Sequence, residues 1–178
     1  GAVAGEWDNA PTTLSNGVLA AGTTLGTEQA STSGTSIDFT GIPAGTKRII
    51  IMLVGVSTNG TSSWLVQLGD AGGVETTGYS SASAADNSVR ASSTAGFLLM
   101  NQGPGAADIH SGRVMLDLED SSDFTWVSSG MVFVTSNAFG YMSGGSKALS
   151  AELDRVRITT VNGTDAFDAG AINIQYSQ

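Results

Sequence analysis

Short stretches in which apolar and polar residues alternate recur along most of the chain. In residues 113–119 (RVMLDLE), Val114, Leu116 and Leu118 fall at every second position, while three charged residues fall on the opposite face. A period of two places successive side chains on opposite faces of a β-strand. No stretch shows sustained apolar spacing at i, i+3, i+4 and i+7, which marks an amphipathic helix. The pattern therefore predicts a series of short strands.

The most apolar run is residues 47–56 (KRIIIMLVGV). It is rich in β-branched residues and lacks helix-capping signals, so we expect a central strand that is covered on both faces. Asn59-Gly60 then forms a dipeptide typical of a tight hairpin turn, and residues 64–68 (WLVQL) read as the next strand. These two segments predict the centre of the fold.

Three segments are predicted to interrupt the strands. Residues 80–94 (SSASAADNSVRASST) are small and polar, and we expect the longest loop there. Gly130 is expected to form a bend or bulge between strands at 124–127 and 131–134. Residues 143–146 (SGGS) are expected to form a further loop.

Eight to ten short strands at this spacing predict an all-β fold, an antiparallel two-sheet β-sandwich of jelly-roll-like type. We assign residues 31–178 to this domain. Residues 1–30 have weak periodicity and several turn signals, and they fit an arm, a linker from an upstream shaft or an edge strand. The apolar strand positions predict the core: Ile49, Ile51, Leu53, Leu65, Leu116, Leu118, Val156, Ile158, Ile172 and Ile174.

The composition supports a β-fold and limits the partners. The chain has 24 glycines and many serines and threonines, but only 7 Lys and Arg residues. Strands and turns use such residues, whereas helical surfaces usually carry Glu, Lys, Gln and Arg. The net charge of −9 argues against a nucleic-acid-binding face, which needs clustered cations.

Cysteine content, the length of the apolar runs and the start of the chain exclude some kinds of site and location. The chain has no cysteine, which excludes disulfides and thiolate metal sites. Its apolar runs are shorter than the ~18 residues that span a bilayer, so we expect no membrane insertion. It starts at Gly1 without an initiator Met or a signal-peptide pattern, which we interpret as a processed product or a piece of a longer chain.

Candidates for catalysis are few. His110 is the one histidine, and the chain has no Gly-x-Ser-x-Gly elbow for a nucleophile. A zinc site needs more nitrogen or sulfur ligands than one imidazole supplies. We therefore interpret His110 as a strand-edge or loop residue. We expect no catalytic residues, no cofactor and no enzyme activity.

Carboxylates offer the more serious enzyme hypothesis. A glycosidase needs two acids about 5–9.5 Å apart across a cleft. The acids cluster in two places: Asp117, Glu119, Asp120 and Asp123, and then Asp165 with Asp168. Their expected role is to solubilise the surface and to cap turns. A single surface Ca²⁺ held by loop oxygens is a less favoured alternative role for these carboxylates, since no spacing matches an EF-hand loop.

Aromatic and asparagine side chains give the candidates for contact with sugars. Exposed aromatic rings can form a platform for a carbohydrate, and the candidates are Trp7, Trp64, Trp126, Tyr79 and Tyr141. In a sandwich most of these rings are expected in the core. Asn59 and Asn162 each begin an Asn-Gly-Thr triplet that matches the N-glycosylation signal. Asn-Gly turns explain both triplets without a sugar.

Several segments resemble recurring motifs of tailed-bacteriophage virion proteins. They include residues 33–43 (SGTSIDFTGIP), 54–62 (VGVSTNGTS) and 153–165 (LDRVRITTVNGTD). The similarity extends over about residues 30–178, and the C-terminal motif is the more specific part. The chain is similar to the C-terminal β-domains of phage tail-fibre and other virion structural proteins. The resemblance carries over no catalytic, metal or receptor-binding residue.

The resemblance implies a particle-exposed β-domain that forms a homotrimer and contacts other virion proteins or the host surface. The main functional hypothesis is a tail-fibre or receptor-binding tip, located on the virion surface. One alternative is a capsid decoration or head-fibre protein that stabilises the shell. A second alternative is a carbohydrate-binding or depolymerising module, with a host surface glycan as its ligand.

Overall fold

The computed structural model describes residues 22–85, 90–106, 108–136 and 138–178. Within these ranges the chain is all-β and has no helix. Fourteen strands are present in them: β1 (Thr24–Leu25), β2 (Gln29–Ala30), β3 (Ser36–Thr40), β4 (Arg48–Thr58), β5 (Trp64–Asp70), β6 (Gly73–Val74), β7 (Ser80–Ala85), β8 (Arg90–Ser93), β9 (Phe97–Leu98), β10 (His110–Asp120), β11 (Thr125–Val134), β12 (Phe139–Ala148), β13 (Arg155–Thr160) and β14 (Phe167–Ser177). Four of them have only two residues, which accounts for the excess over the eight to ten expected.

The strands form two antiparallel sheets. The larger sheet has nine strands in the order β1-β14-β4-β10-β11-β12-β7-β8, and β2 also pairs with β14. The smaller sheet has the order β3-β13-β5-β6, and β9 pairs with β5. The predicted antiparallel two-sheet sandwich is confirmed.

The core lies between the inner faces of the two sheets. Nine of the ten predicted core residues are buried, and Leu118 is half-buried and packs against the same cluster. Trp64, Trp126, Phe97 and Phe167 are the largest fully buried side chains in this core. The period-two pattern thus identified the inward-facing residues of β4, β10, β13 and β14 correctly.

Strand β4 differs from the prediction of a strand covered on both faces. Ile49, Ile51 and Leu53 are buried, whereas Met52 is half-buried and Val54 is 64% exposed. The reason is that a five-stranded sheet covers only one face of a nine-stranded sheet. The second apolar face of β4 therefore lies on the outside of the larger sheet.

Two predicted loops and one predicted bend or bulge lie in strands instead. Residues 80–94 include β7 and β8, which pair with each other from Ser81↔Ser93 to Ala84↔Arg90. Gly130 lies inside the continuous strand β11, opposite Val114, where a Cβ would meet the Ser143 hydroxyl at 2.6 Å. Residues 143–146 lie inside β12. In each case, small residues allow strands to pack closely, which local composition cannot distinguish from a loop.

The segment before residue 31 contributes two short strands. Thr24–Leu25 and Gln29–Ala30 both pair with β14 at the edge of the larger sheet. Residues 24–30 therefore contain edge strands, which is one of the three alternatives for the N-terminal segment. Residues 1–21, including Trp7, lie outside the described residues.

Candidate functional site

The side chain of His110 is completely buried at the start of β10. Its ring centroid lies 4.7 Å from that of Trp64, and Nδ1 is 3.1 Å from the Asp108 carbonyl oxygen. Burial lowers the pKa of the imidazole, because the charged form loses its hydration. His110 is thus a core residue that supports the fold, rather than the loop or edge residue that we expected.

The first acidic cluster is divided among separate structural roles. Asp117 Oδ1 pairs with Arg48 Nε at 2.6 Å across two neighbouring strands. Asp120 and Asp123 accept hydrogen bonds from Ser122 and Thr125 in the turn between β10 and β11. The bonds to Ser122 lower the pKa of Asp120. These carboxylates fix a turn and a strand pair, as the turn interpretation predicts.

The second acidic pair stabilises a turn and a pair of strands. Asp165 accepts hydrogen bonds from the Asn162 side chain at 2.6 Å and the Ser62 backbone at 2.8 Å, and these bonds lower its pKa. Asp168 accepts a hydrogen bond from the Ser57 hydroxyl. Within the described ranges, no group of three or more His, Cys, Asp or Glu residues is placed to hold a metal ion.

Four of the five aromatic candidates for a carbohydrate platform are core residues, and the fifth, Trp7, lies outside the described residues. Trp64, Trp126, Tyr79 and Tyr141 are each at most 3% exposed. The Tyr79 hydroxyl donates a hydrogen bond to the Glu75 carbonyl, and its ring contacts Phe97 edge-on at 5.1 Å. These four rings cannot form an exposed stacking surface.

The two Asn-Gly-Thr triplets lie in turns. Asn59 Oδ1 accepts a hydrogen bond from the backbone of Ala166 at 2.9 Å. Asn162 Oδ1 accepts bonds from Thr164 and Asp165, and Gly163 adopts a φ of 67° that favours glycine. The turn interpretation thus accounts for the side chains of both asparagines.

An open groove of about 330 Å³ lies where the edges of the two sheets meet. Its walls are β1 and β2 on one side and β3 on the other, and the end of β14 supplies Tyr176. Thr27, Gln29, Asp38 and Thr40 give the groove its polar side chains. Tyr176 is half-buried against the core.

Two of the polar side chains of the groove, Gln29 and Asp38, are held in place by hydrogen bonds. Gln29 Nε2 donates to the Asp38 carbonyl at 2.6 Å. Arg157 holds the Asp38 carboxylate with two bonds, of 2.6 and 2.9 Å, and this contact raises the pKa of Arg157. The carboxylate is therefore neutralised by a bidentate partner on the neighbouring strand β13. The groove offers fixed polar atoms with little net charge.

Sequence reasoning did not identify this groove. Its residues come from positions 25–42 and 174–176, which strand pairing brings together. Asp38 and Thr40 appear in the sequence as ordinary outward residues of a strand. No local motif marks them as neighbours of Gln29 or Tyr176.

A second surface feature is the outer face of the larger sheet, which we define by the outward side chains of β4, β10, β11 and β12. Its exposed apolar residues are Val54, Val127, Met131, Phe133 and Met142. These side chains point away from the core because they alternate with its buried residues.

Within the described residues, no helix is long and apolar enough to span a bilayer.

Comparison with known proteins gives similarity at the level of fold. The chain matches no protein-family model and no curated protein. One similar solved structure is CG-16, a homodimeric agglutinin from chicken liver, with 8% identity, a TM-score of 0.34 and coverage of 78% of this chain and 98% of that chain. Another is a toad ovary galectin in complex with thio-digalactose, with 12% identity, a TM-score of 0.30 and coverage of 79% and 98%.

A human SPRY domain is also similar, with 13% identity, a TM-score of 0.20 and coverage of 75% of this chain and 97% of that chain. At these identities and TM-scores the likeness supports no conclusion about this chain. No role of any residue transfers from these structures to this chain.

Proposed function

We propose that this domain is a non-enzymatic binding module on the surface of a virion, of the tail-fibre or receptor-binding-tip type, and that its groove binds a host surface glycan. The virion placement rests on the sequence resemblance over about residues 30–178. The binding role rests on one observation, the groove with its fixed polar groups and its tyrosine.

The chemistry of the groove favours a neutral ligand with many hydroxyl groups. Thr27 and Thr40 are exposed and can donate and accept hydrogen bonds. Because Arg157 neutralises the Asp38 carboxylate, the groove offers no strong attraction to a free anion or cation. Tyr176 adds an apolar ring edge with a polar tip, which suits the mixed surface of a sugar. A saccharide meets these requirements better than a nucleotide or a metal ion.

Filling the groove should test this function. Thr40→Trp places a large ring at the mouth of the groove without removing a buried contact, since Thr40 is exposed at the end of β3. We expect wild-type protein to bind at least one member of a panel of bacterial surface polysaccharides in saturation-transfer NMR. Thr40→Trp should weaken that binding at least tenfold.

Thr77→Trp is the matched control, because Thr77 is exposed and lies in the turn before β7, away from the groove residues. It should bind as the wild type does. Equal binding by Thr40→Trp and wild type would overturn the assignment of the groove. Failure of the wild type to bind any polysaccharide in the panel would overturn the glycan-binding function.

The capsid-decoration alternative is favoured by a different observation, the exposed apolar outer face. Such a face suits a protein that packs onto a shell or onto its own copies. The two placements differ in location on the particle. Antibody labelling of intact particles should mark tail ends for a receptor-binding tip and the head for a decoration protein.

A further inference from the structure

We propose that the outer face of the larger sheet is the surface through which copies of this chain associate. This inference does not depend on the glycan-binding groove, which lies at the opposite side of β14 from the centre of the face. It rests on the register of the strands, the shape of the face, its area and its charge.

The register places a continuous row of long side chains across four strands. Met52 of β4 pairs with Arg113 of β10, Arg113 pairs with Met131 of β11, and Met131 pairs with Met142 of β12. All four side chains point outward, and Met142 is 59% exposed. Three of these four residues are methionines, whose flexible side chains form deformable apolar surfaces at many protein interfaces.

Phe133 extends this row along β11. It pairs with Gly140, and a Cβ at Gly140 would lie 2.7 Å from the Phe133 ring. The ring therefore lies against the sheet over the glycine instead of projecting into solvent. Val54 is exposed on β4, one outward position beyond Met52. Together these residues form a low, apolar surface that another sheet face can approach closely.

The area of the face suits a stable interface. Four adjacent strands of ten or eleven residues, from β4 to β12, form this face. At about 4.8 Å per strand and about 3.3 Å per residue, they cover about 670 Å², which is within the range of standard interfaces. A standard protein–protein interface buries about 800 Å² on each partner.

The charge of the face indicates a second copy as the occupant. The whole chain carries a net charge of −9. On the outer face, however, the two arginines Arg48 and Arg113 are balanced by the two carboxylates Asp117 and Glu119, so the face carries no net charge. Two acidic copies can therefore meet through this face without a net like charge on either side.

The test changes the row of methionines in the full chain. Met131→Glu with Met142→Glu places carboxylates at exposed positions, where Arg113 can pair with residue 131, so the fold should persist. Light scattering should give the wild type a mass of two or more copies of the 18.0 kDa chain. The double variant should have a mass of 18.0 kDa and an unchanged far-UV circular dichroism spectrum.

Val161→Glu is the matched control, because Val161 is 55% exposed and lies after β13 of the smaller sheet. It should keep the mass of the wild type. A monomeric wild type at micromolar concentration would overturn the proposal, as would a folded double variant that stays assembled. If the full chain is monomeric and a chain starting at Gly22 assembles, residues 1–21 cover the face, which also overturns it.

Discussion

At the scale of single residues, His110 shows how a polar group is accommodated in this core. Its imidazole packs on the indole of Trp64 and lies within hydrogen-bonding distance of the Asp108 carbonyl oxygen. The neutral ring can make these contacts without a water shell. The imidazolium would lose its hydration in the same place, which is why burial lowers the pKa of His110.

This environment predicts a loss of stability in mild acid. The pKa of His110 is lowered in the folded state, so the unfolded chain binds the proton first as the pH falls below about 6.5. The free energy of unfolding should then decrease by up to about 1.4 kcal/mol for each pH unit, until the folded pKa is reached. Urea unfolding at a series of pH values measures this slope.

His110→Phe keeps an aromatic ring against Trp64 but cannot bind a proton. Between pH 7 and pH 5 its stability should decrease less than that of the wild type, since the carboxylates contribute equally to both proteins. Equal slopes for the two proteins would show that His110 does not cause the loss.

At the scale of strands, β14 contains a position where the backbones of two strands approach closely. Its pairing with β4 shifts register between Phe167 and Ala169 and again between Ala169 and Ala171. Within this irregular stretch Gly170 adopts a φ of 88°, and Gly55 on β4 adopts a φ of 65°. A Cβ on Gly170 would lie against the Gly55 backbone. Two glycines therefore allow the bulged strands to approach closely.

Gly170→Ala should thus destabilise the protein by more than about 1 kcal/mol, because it adds both backbone strain and a contact with fixed backbone atoms. Gly41→Ala is the control, since Gly41 has a φ of 73° but open space around its Cα. The control should show the strain alone. Chemical denaturation of both variants gives the difference, and equal losses would contradict a role for the close contact.

The strands also show where sequence reasoning succeeds and fails. In β10, apolar and charged residues alternate strongly, and the prediction of its inward face was correct for Val114 and Leu116. In β7 the alternating residues are serine and alanine, so the buried Ser81 and Ser83 gave no hydrophobic signal. Ser83 is held by hydrogen bonds to two backbone carbonyls, which only the folded chain brings near it. The groove escaped detection for the same reason, because pairing over long sequence distances creates it.

At the scale of the whole molecule, burial of apolar surface and repulsion between charges oppose each other and decide whether copies associate. The apolar outer face favours contact, because burial of its exposed side chains removes them from water. The net charge of −9 on each copy opposes contact. A trimer would carry −27, three times that charge, although Arg113 and the Arg48–Asp117 pair keep the face itself free of excess negative charge. Salt should therefore shift the balance.

We expect the homotrimer implied by the sequence resemblance to form more readily as salt is added. At about 10 mM ionic strength the Debye length is about 30 Å, which is comparable to the length of the contact face, so the charges on neighbouring copies repel each other. At about 150 mM it is about 8 Å, and only charges near the interface still interact, whereas the apolar contact is unchanged. Light scattering at the two salt concentrations should show the mass rising toward 54 kDa, three times 18.0 kDa. A mass of 18.0 kDa at both concentrations would contradict self-association, and a mass that falls with added salt would show that ion pairs, not the apolar face, hold the copies together.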